Sequence, residues 1–71
     1  MSKGRVRNAI RALRLAEGMT QQELAAAVGA TRQTVIAIEA GKYAPSLELA
    51  FRIARTFNQP FEAVFQFDPS G

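Results

Sequence analysis

The chain has 71 residues, enough for one folded domain with a small core, and its net charge of +3 suits an acidic partner. It has no cysteine and no histidine, which excludes disulfides, thiolate nucleophiles, imidazole bases and the usual zinc sites. Its apolar runs are short and no hydrophobic signal core opens the chain, so we expect a cytoplasmic protein without membrane segment, metal or cofactor.

Five helices are predicted in chain order. The first runs from about Arg5 to Glu17 and stops at Gly18. Its inner side is formed by Val6, Ile10, Leu13 and Met19.

Residues 20–42, TQQELAAAVGATRQTVIAIEAGK, contain the second and third helices, each preceded by a hydroxyl cap. Thr20 with Glu23 forms a capping box, and Thr31 with Thr34 repeats the cap eleven residues later. Two helix starts this close together leave room only for a tight turn. The third helix ends at Gly41.

A glycine turn connects these two helices, and each helix carries an apolar stripe. Gly29 lies where the chain must reverse through a positive φ, and Ala25 is small where crossing helices approach most closely. One shared core is indicated by the stripes Leu24, Ala25 and Val28 on the second helix and Val35 and Ile38 on the third. This arrangement is typical of a helix-turn-helix.

The C-terminal third predicts two more helices and a change of pattern. Ser46 caps the fourth helix and Pro60 begins the fifth. Helical spacing relates Leu47, Ala50, Ile53, Ala54 and Phe57 in the fourth helix, and Phe61, Val64 and Phe65 in the fifth. Beyond Phe65 the residues alternate as in an extended segment.

Charge is unevenly divided along the chain. Residues 1–42 hold seven Lys/Arg against three Glu, a balance of +4, whereas residues 43–71 hold two Arg against three acids, a balance of −1. Positive charge on the helix-turn-helix half would attract phosphate. A basic tail that only aids solubility would produce the same balance, so charge alone does not decide between the two.

The motifs TQQELA, VGATRQTV and IEAGKYAPSLELA, in this order and spacing, resemble the lambda-repressor-like regulators of the Cro and xenobiotic-response-element type. The resemblance covers roughly Val6 to Phe65 and is strongest with small stand-alone members. It implies an all-α, compact five-helix DNA-binding domain over residues 1–71, with room for a short extended segment at the C-terminus. It also implies a sequence-specific transcriptional regulator, a repressor that binds double-stranded DNA.

The resemblance implies roles for particular residues. Base edges in the major groove would be read by Thr31, Arg32, Gln33, Thr34 and Ala37, and phosphates would be contacted by Gln21, Gln22, Lys42 and Tyr43. The guanidinium of Arg32 can donate two hydrogen bonds to a guanine, and the side-chain amide of Gln33 can donate one and accept one with an adenine. Arg14 and Glu39 would form a partly buried structural ion pair between the first and third helices.

Some of these residues admit simpler interpretations. The glutamines at 21, 22 and 33 could be ordinary solvated helix residues. Ile36 lies beside Gln33 and away from the core face, where it could contact a thymine methyl or pack on Lys42, and the sequence does not choose.

A domain of this size reads only a half-site, so we expect a homodimer on a pseudo-palindromic operator. Residues 60–71 are the candidate dimerisation segment, and the proposed interface residues are Leu49, Phe61, Phe65 and Phe67. The alternation after Phe65 would suit strand pairing between subunits. Equally, these aromatics could simply close the core of the domain.

The alternatives to a transcriptional regulator are a protein-interaction module and an enzyme. An antitoxin or other protein-interaction module would use the same fold, and this is the main alternative to a regulator. An enzyme is not expected, because the six acidic residues are scattered and the chain shows no paired carboxylates, activated nucleophile or phosphate-binding glycine loop.

Overall fold

In the computed structural model, residues 4–70 are described, and residues 1–3 and 71 of the predicted domain lie outside that range. The element order is β1 Arg5–Asn8, α1 Ile10–Ala16, α2 Gln21–Val28, α3 Arg32–Glu39, α4 Leu47–Thr56, α5 Phe61–Val64 and β2 Phe65–Asp68. All five predicted helices are present, and the mainly helical fold is confirmed.

Local capping determines where the middle helices begin. The Thr20 hydroxyl accepts from the Glu23 amide at 3.0 Å while the Glu23 carboxylate accepts from the Thr20 amide at 2.8 Å, which is the predicted capping box. Thr31 and Ser46 cap α3 and α4 with the hydroxyl alone, each accepting the amide three residues later at 3.2 Å. Gly29 ends α2 at φ 74°, a conformation that a residue with a Cβ resists.

The prediction that the first helix starts at Arg5 was wrong. The residues Arg5–Asn8 form β1, and Val6 lies in this strand with 42% of its surface exposed. The physical reason is non-local, because β1 pairs antiparallel with β2, with Val6 opposite Phe67 and Asn8 opposite Phe65. The helix begins after Asn8, whose side-chain oxygen accepts the Ile10 amide at 3.2 Å.

The expected extended segment at the C-terminus is present as β2, and its strand partner lies in the same chain. β1 and β2 form a two-stranded antiparallel sheet that we call the hairpin, although five helices separate the strands in sequence, and opposite residues in such a pair share a face. Val6, Asn8, Phe65 and Phe67 therefore share one face, and Arg7 and Gln66 are opposite each other on the other face. The Phe67 ring lies so close to Gly4 that a Cβ there would clash with it.

The core lies between the helices and is closed at one end by the hairpin. Its buried apolar side chains are Ile10, Leu24, Ala25, Val28, Val35, Ile38, Ala50, Ile53, Ala54, Phe57, Val64 and Phe65. Full burial of a large apolar side chain stabilises the fold by about 1.5 to 3 kcal/mol. Leu47 shares the helical spacing predicted for the fourth helix with residues that are buried, but it is itself 67% exposed, because it occupies the first turn, beyond the edge of the core.

Candidate nucleic-acid interface

The orientation of α3 follows from its packing against α2. Leu24 and Ala25 on α2 are fully buried, and Val35 and Ile38 on α3 are 2% and 1% exposed. The absence of a large side chain at Ala25 lets the two helices approach closely. Because two positions of α3 are fixed in the core, its opposite face must point outward.

That outward face carries most of the predicted base-reading residues. Arg32 and Gln33 are exposed in the first turn, and Ala37 is half-buried one turn later. Thr31 is exposed, but its hydroxyl accepts the Thr34 amide at 3.2 Å and lies 3.0 Å from the Thr34 hydroxyl. The two threonines therefore already have a structural task at the start of the helix.

The structure brings Arg14 and Glu39 together in a two-pronged ion pair. Arg14 donates from Nε to Glu39 Oε2 at 2.8 Å and from Nη2 to Glu39 Oε1 at 3.2 Å, and its Nη1 donates to the Met19 carbonyl at 3.0 Å. The two side chains are only 10% and 8% exposed. The hydrogen bonds with Glu39 hold the pKa of Arg14 above its usual value, against the opposing effect of burial. The pair ties α1 to the end of α3.

Gln21 adds a second connection to the same carboxylate. Its side-chain amide donates to Glu39 Oε1 at 3.3 Å, so the first residue of α2 is linked to the last residue of α3. Gln22 is exposed beside it. Helix N-termini carry unpaired amides and partial positive charge, so this end of α2 favours an anion nearby.

Asn8 is a site-positioning residue that the sequence analysis missed. Its side-chain nitrogen donates to the Ile38 carbonyl at 2.9 Å, which satisfies a group in the last turn of α3, while its oxygen accepts the Ile10 amide. An asparagine just before an apolar helical run is a helix-start signal, although the N-cap residue of α1 itself is Ala9. Placing Asn8 inside the first helix hid that signal.

Lys42 and Tyr43 follow α3 and are both exposed. Gly41 turns the chain at φ 75°, and the Lys42 amide then bonds to the Ala37 carbonyl at 3.0 Å. This closed turn holds Lys42 near the end of α3 instead of leaving it on a free loop.

An open depression of about 940 Å³ lies between α1 and the starts of α2 and α3. Its lining residues include the charged Arg11 and Arg32 and the polar Gln21 and Gln22. Since the charge of Arg14 is matched by Glu39, Arg11 and Arg32 dominate the potential of this surface.

The four residues proposed for the dimer interface have different environments. Phe65 is 5% exposed and belongs to the core of the domain. Leu49 and Phe61 are half-buried against that core, whereas Phe67 is 64% exposed. Val6, Leu47 and Phe51 lie near them, are also exposed, and were not in the predicted set.

Residues 4–70 contain neither a metal-binding cluster nor a membrane-spanning helix. No group of three or more acidic, histidine or cysteine side chains in this range could hold a metal ion. No helix in the same range is long and apolar enough to cross a membrane.

Comparison with known proteins establishes the class. Residues 10–64 match the family model described as Helix-turn-helix. An uncharacterized HTH-type transcriptional regulator from Archaeoglobus fulgidus is 52% identical over 63 residues, covering 89% of this chain and 90% of that protein. Another from Methanothermobacter thermautotrophicus is 51% identical over 67 residues, covering 93% of this chain and 97% of that protein.

Solved structures have the same fold. The restriction-modification controller protein C.AhdI from Aeromonas hydrophila superposes with a TM-score of 0.72 at 30% identity, over 76% of this chain and 82% of that one. The transcriptional regulator VanUg has a TM-score of 0.78 at 22% identity, over 99% and 93% of the two chains. This chain belongs to the helix-turn-helix family, and more closely to its small Cro-type DNA-binding transcriptional regulators.

Proposed function

We propose that this protein is a repressor that binds a pseudo-palindromic operator as a homodimer, with α3 of each subunit in the major groove. The observation that carries the proposal is the division of α3 into two faces. Val35 and Ile38 are buried, while Arg32 and Gln33 are exposed on the side that carries no core contact. A helix held this way has its polar side chains available for base edges.

The proposal assigns base recognition to the first two turns of α3. Arg32 can hold a guanine through two hydrogen bonds, and Gln33 can hold an adenine, each discriminating against other bases by about 1 to 3 kcal/mol. Ala37 is small enough to let the helix approach the bases closely. Thr31 and Thr34 are assigned a secondary part, because their hydroxyls are engaged in capping α3.

Phosphate contacts are assigned to both ends of the motif. At the start of α2, the backbone amides of Gln21 and Gln22 suit a phosphate oxygen. Past the end of α3, Lys42 and Tyr43 are exposed on a turn that is hydrogen-bonded back to the helix. Such contacts fix the register of the protein on the duplex and carry no direct sequence information.

The ion pair has a supporting role in this proposal. Arg14, Gln21 and Glu39 connect α1, α2 and the end of α3 through hydrogen bonds of 2.8 to 3.3 Å. Because the carboxylate is engaged, its charge is screened from a DNA backbone that approaches α2. The cluster holds α3 at a set angle and is assigned no contact with DNA.

The homodimer is proposed on grounds of information and surface chemistry. A single domain reads too few base pairs to select one genomic site, and two-fold dimers place recognition helices about 34 Å apart, one turn of DNA. The surface available for a second copy is an apolar groove of about 630 Å³, which we call the hairpin groove. Val6, Leu47, Phe61 and Phe67 are among its lining residues.

Two properties of the hairpin groove favour a second copy as its occupant. All its lining residues except Val6 come from residues 43–71, whose balance is −1 against +4 for residues 1–42, so two positively charged chains repel each other least when they meet here. Exposed Phe67 and Leu47 line a concave surface, which permits the self-complementary contact that a two-fold interface requires. Phe65 is omitted from the proposed interface because the domain itself buries it.

Selection of bound duplexes from a random pool tests this proposal. We expect two inverted half-sites whose centres are one helical turn apart. Gln33→Ala should relax the preference at one base position of each half-site, whereas Lys42→Ala should weaken all sequences alike. A selected site without symmetry would contradict the homodimer, and unchanged preferences with Gln33→Ala would contradict the assignment of α3.

A further inference from the structure

Ile36 is a large apolar side chain on the polar side of α3. It is 39% exposed, whereas the other two β-branched apolar residues of the helix, Val35 and Ile38, are almost completely buried. Within residues 4–70 it belongs neither to the buried core nor to the half-buried apolar side chains that pack on the core. The exposed part of this side chain is therefore not accounted for by packing of the core.

Helix propensity does not explain Ile36 either. A β-branched side chain loses rotamer freedom in a helix, and alanine is the better helix former at an exposed position. The chain uses alanine at the neighbouring positions 37 and 40. An isoleucine at 36 thus carries a small cost in the free protein, which an apolar contact in a complex would offset.

The neighbours of Ile36 indicate what such a contact would be. Residues three and four apart on a helix share a face, so Gln33 and Arg32 lie one turn before Ile36 on the same side. In the proposed complex this side enters the major groove. The C5-methyl group of thymine is the apolar group that base edges present there, and apolar side chains recognise it by direct contact.

We propose that Ile36 contacts the C5-methyl group of a thymine, next to the base pair that Gln33 reads. This inference rests on the proposed DNA binding and adds a specificity-determining residue to it. The other position for the side chain is over the stem of Lys42, which the turn after α3 holds close to the helix. In that position Ile36 would be insensitive to the thymine methyl.

Uracil substitution tests the contact, because deoxyuridine lacks only the methyl group of thymidine. In a duplex obtained by selection, each thymidine of both half-sites is replaced in turn, and affinity is measured at fixed salt. The wild-type protein should lose about three- to fivefold per methyl contact at one position of each half-site. Ile36→Ala removes the contact from both half-sites, so it should bind the unmodified duplex more weakly by about the square of that factor, roughly ten- to twenty-five-fold, and show no further loss with uracil at that position.

The matched variants separate the possible outcomes. Ile36→Val retains two methyl groups and should keep part of the uracil effect, and both variants should melt within a few degrees of the wild type because the site is exposed. The proposal is overturned if uracil weakens Ile36→Ala as much as the wild type, or if the wild type binds tightly with no uracil-sensitive position. A folded protein that binds no duplex at low salt would overturn the proposed function as well.

Discussion

Glu39 connects α1, α2 and the end of α3 at the candidate nucleic-acid interface. Its carboxylate accepts from Arg14 and from Gln21, and its side chain is 8% exposed. Glu39→Ala would leave the Arg14 guanidinium buried, with the Met19 carbonyl as its one remaining acceptor among residues 4–70. Removing one partner of a buried pair costs about 3 to 5 kcal/mol, so the melting temperature should fall by more than about 10 °C.

Two control variants separate the pair from a general surface effect. Glu17→Ala removes an exposed carboxylate at the end of α1 and should shift the melting temperature by at most a few degrees. Combining Arg14→Met with Glu39→Met should cost less than the sum of the two single changes, because no charge is then left alone. A Glu39→Ala protein that melts within about a degree of the wild type would contradict the structural role of the pair.

At the scale of elements, the parts that sequence could predict are those determined by local chemistry. Thr20, Thr31 and Ser46 each cap the helix that they were expected to begin, because a hydroxyl and an amide three residues away suffice. The Arg14–Glu39 pair was available only through the family resemblance, since spacing alone does not bring two distant side chains together.

The misplaced start of the first helix illustrates the limit. Val6 fits helical spacing with Ile10 and Leu13, and nothing within that segment signals a strand. Its strand partner Phe67 is 61 residues away, and pairing at that distance depends on the whole fold. The exposure of Leu47 could not be predicted from the sequence either, because helical spacing identifies a face of the helix but does not show where the core ends.

The hairpin leads to a prediction about pH. Asp68 accepts hydrogen bonds from the backbone and side chain of Ser70 and pairs with Arg7 at 3.1 Å, and together these hold its pKa below the usual range. Such a group stabilises the folded state above its unfolded pKa of about 3.9, and this contribution is lost as the pH falls through the lower folded value. An NMR titration of the carboxyl should therefore have its midpoint below that of an unstructured aspartate.

Asp68→Asn supplies the control for the hairpin. It should remove the pH dependence of the Ser70 amide signal below pH about 4 while leaving α2 and α3 unchanged. A normal or raised midpoint for Asp68 in the wild type would show that these hydrogen bonds do not persist in solution.

At the scale of the whole molecule, the hairpin groove predicts the oligomeric state. Phe67→Ser and Leu47→Ser place a hydroxyl on two different elements of the groove, and each should shift sedimentation from dimer toward monomer. Leu15→Ser changes an equally exposed apolar residue on α1, outside the groove, and should leave the dimer intact. A dimer unaffected by both groove variants would assign the interface to another surface.

Binding of duplex DNA by the face that α2 and α3 form is tested most directly by a salt series. Affinity for a selected duplex should fall steeply with salt, with a log–log slope of about −0.9 for each phosphate neutralised. Lys42→Ala removes one phosphate contact from each subunit of the proposed dimer and should therefore reduce the magnitude of that slope by about 2 while the fold is retained. A folded wild-type protein that binds no duplex at low salt, or binds it without salt dependence, would contradict the account.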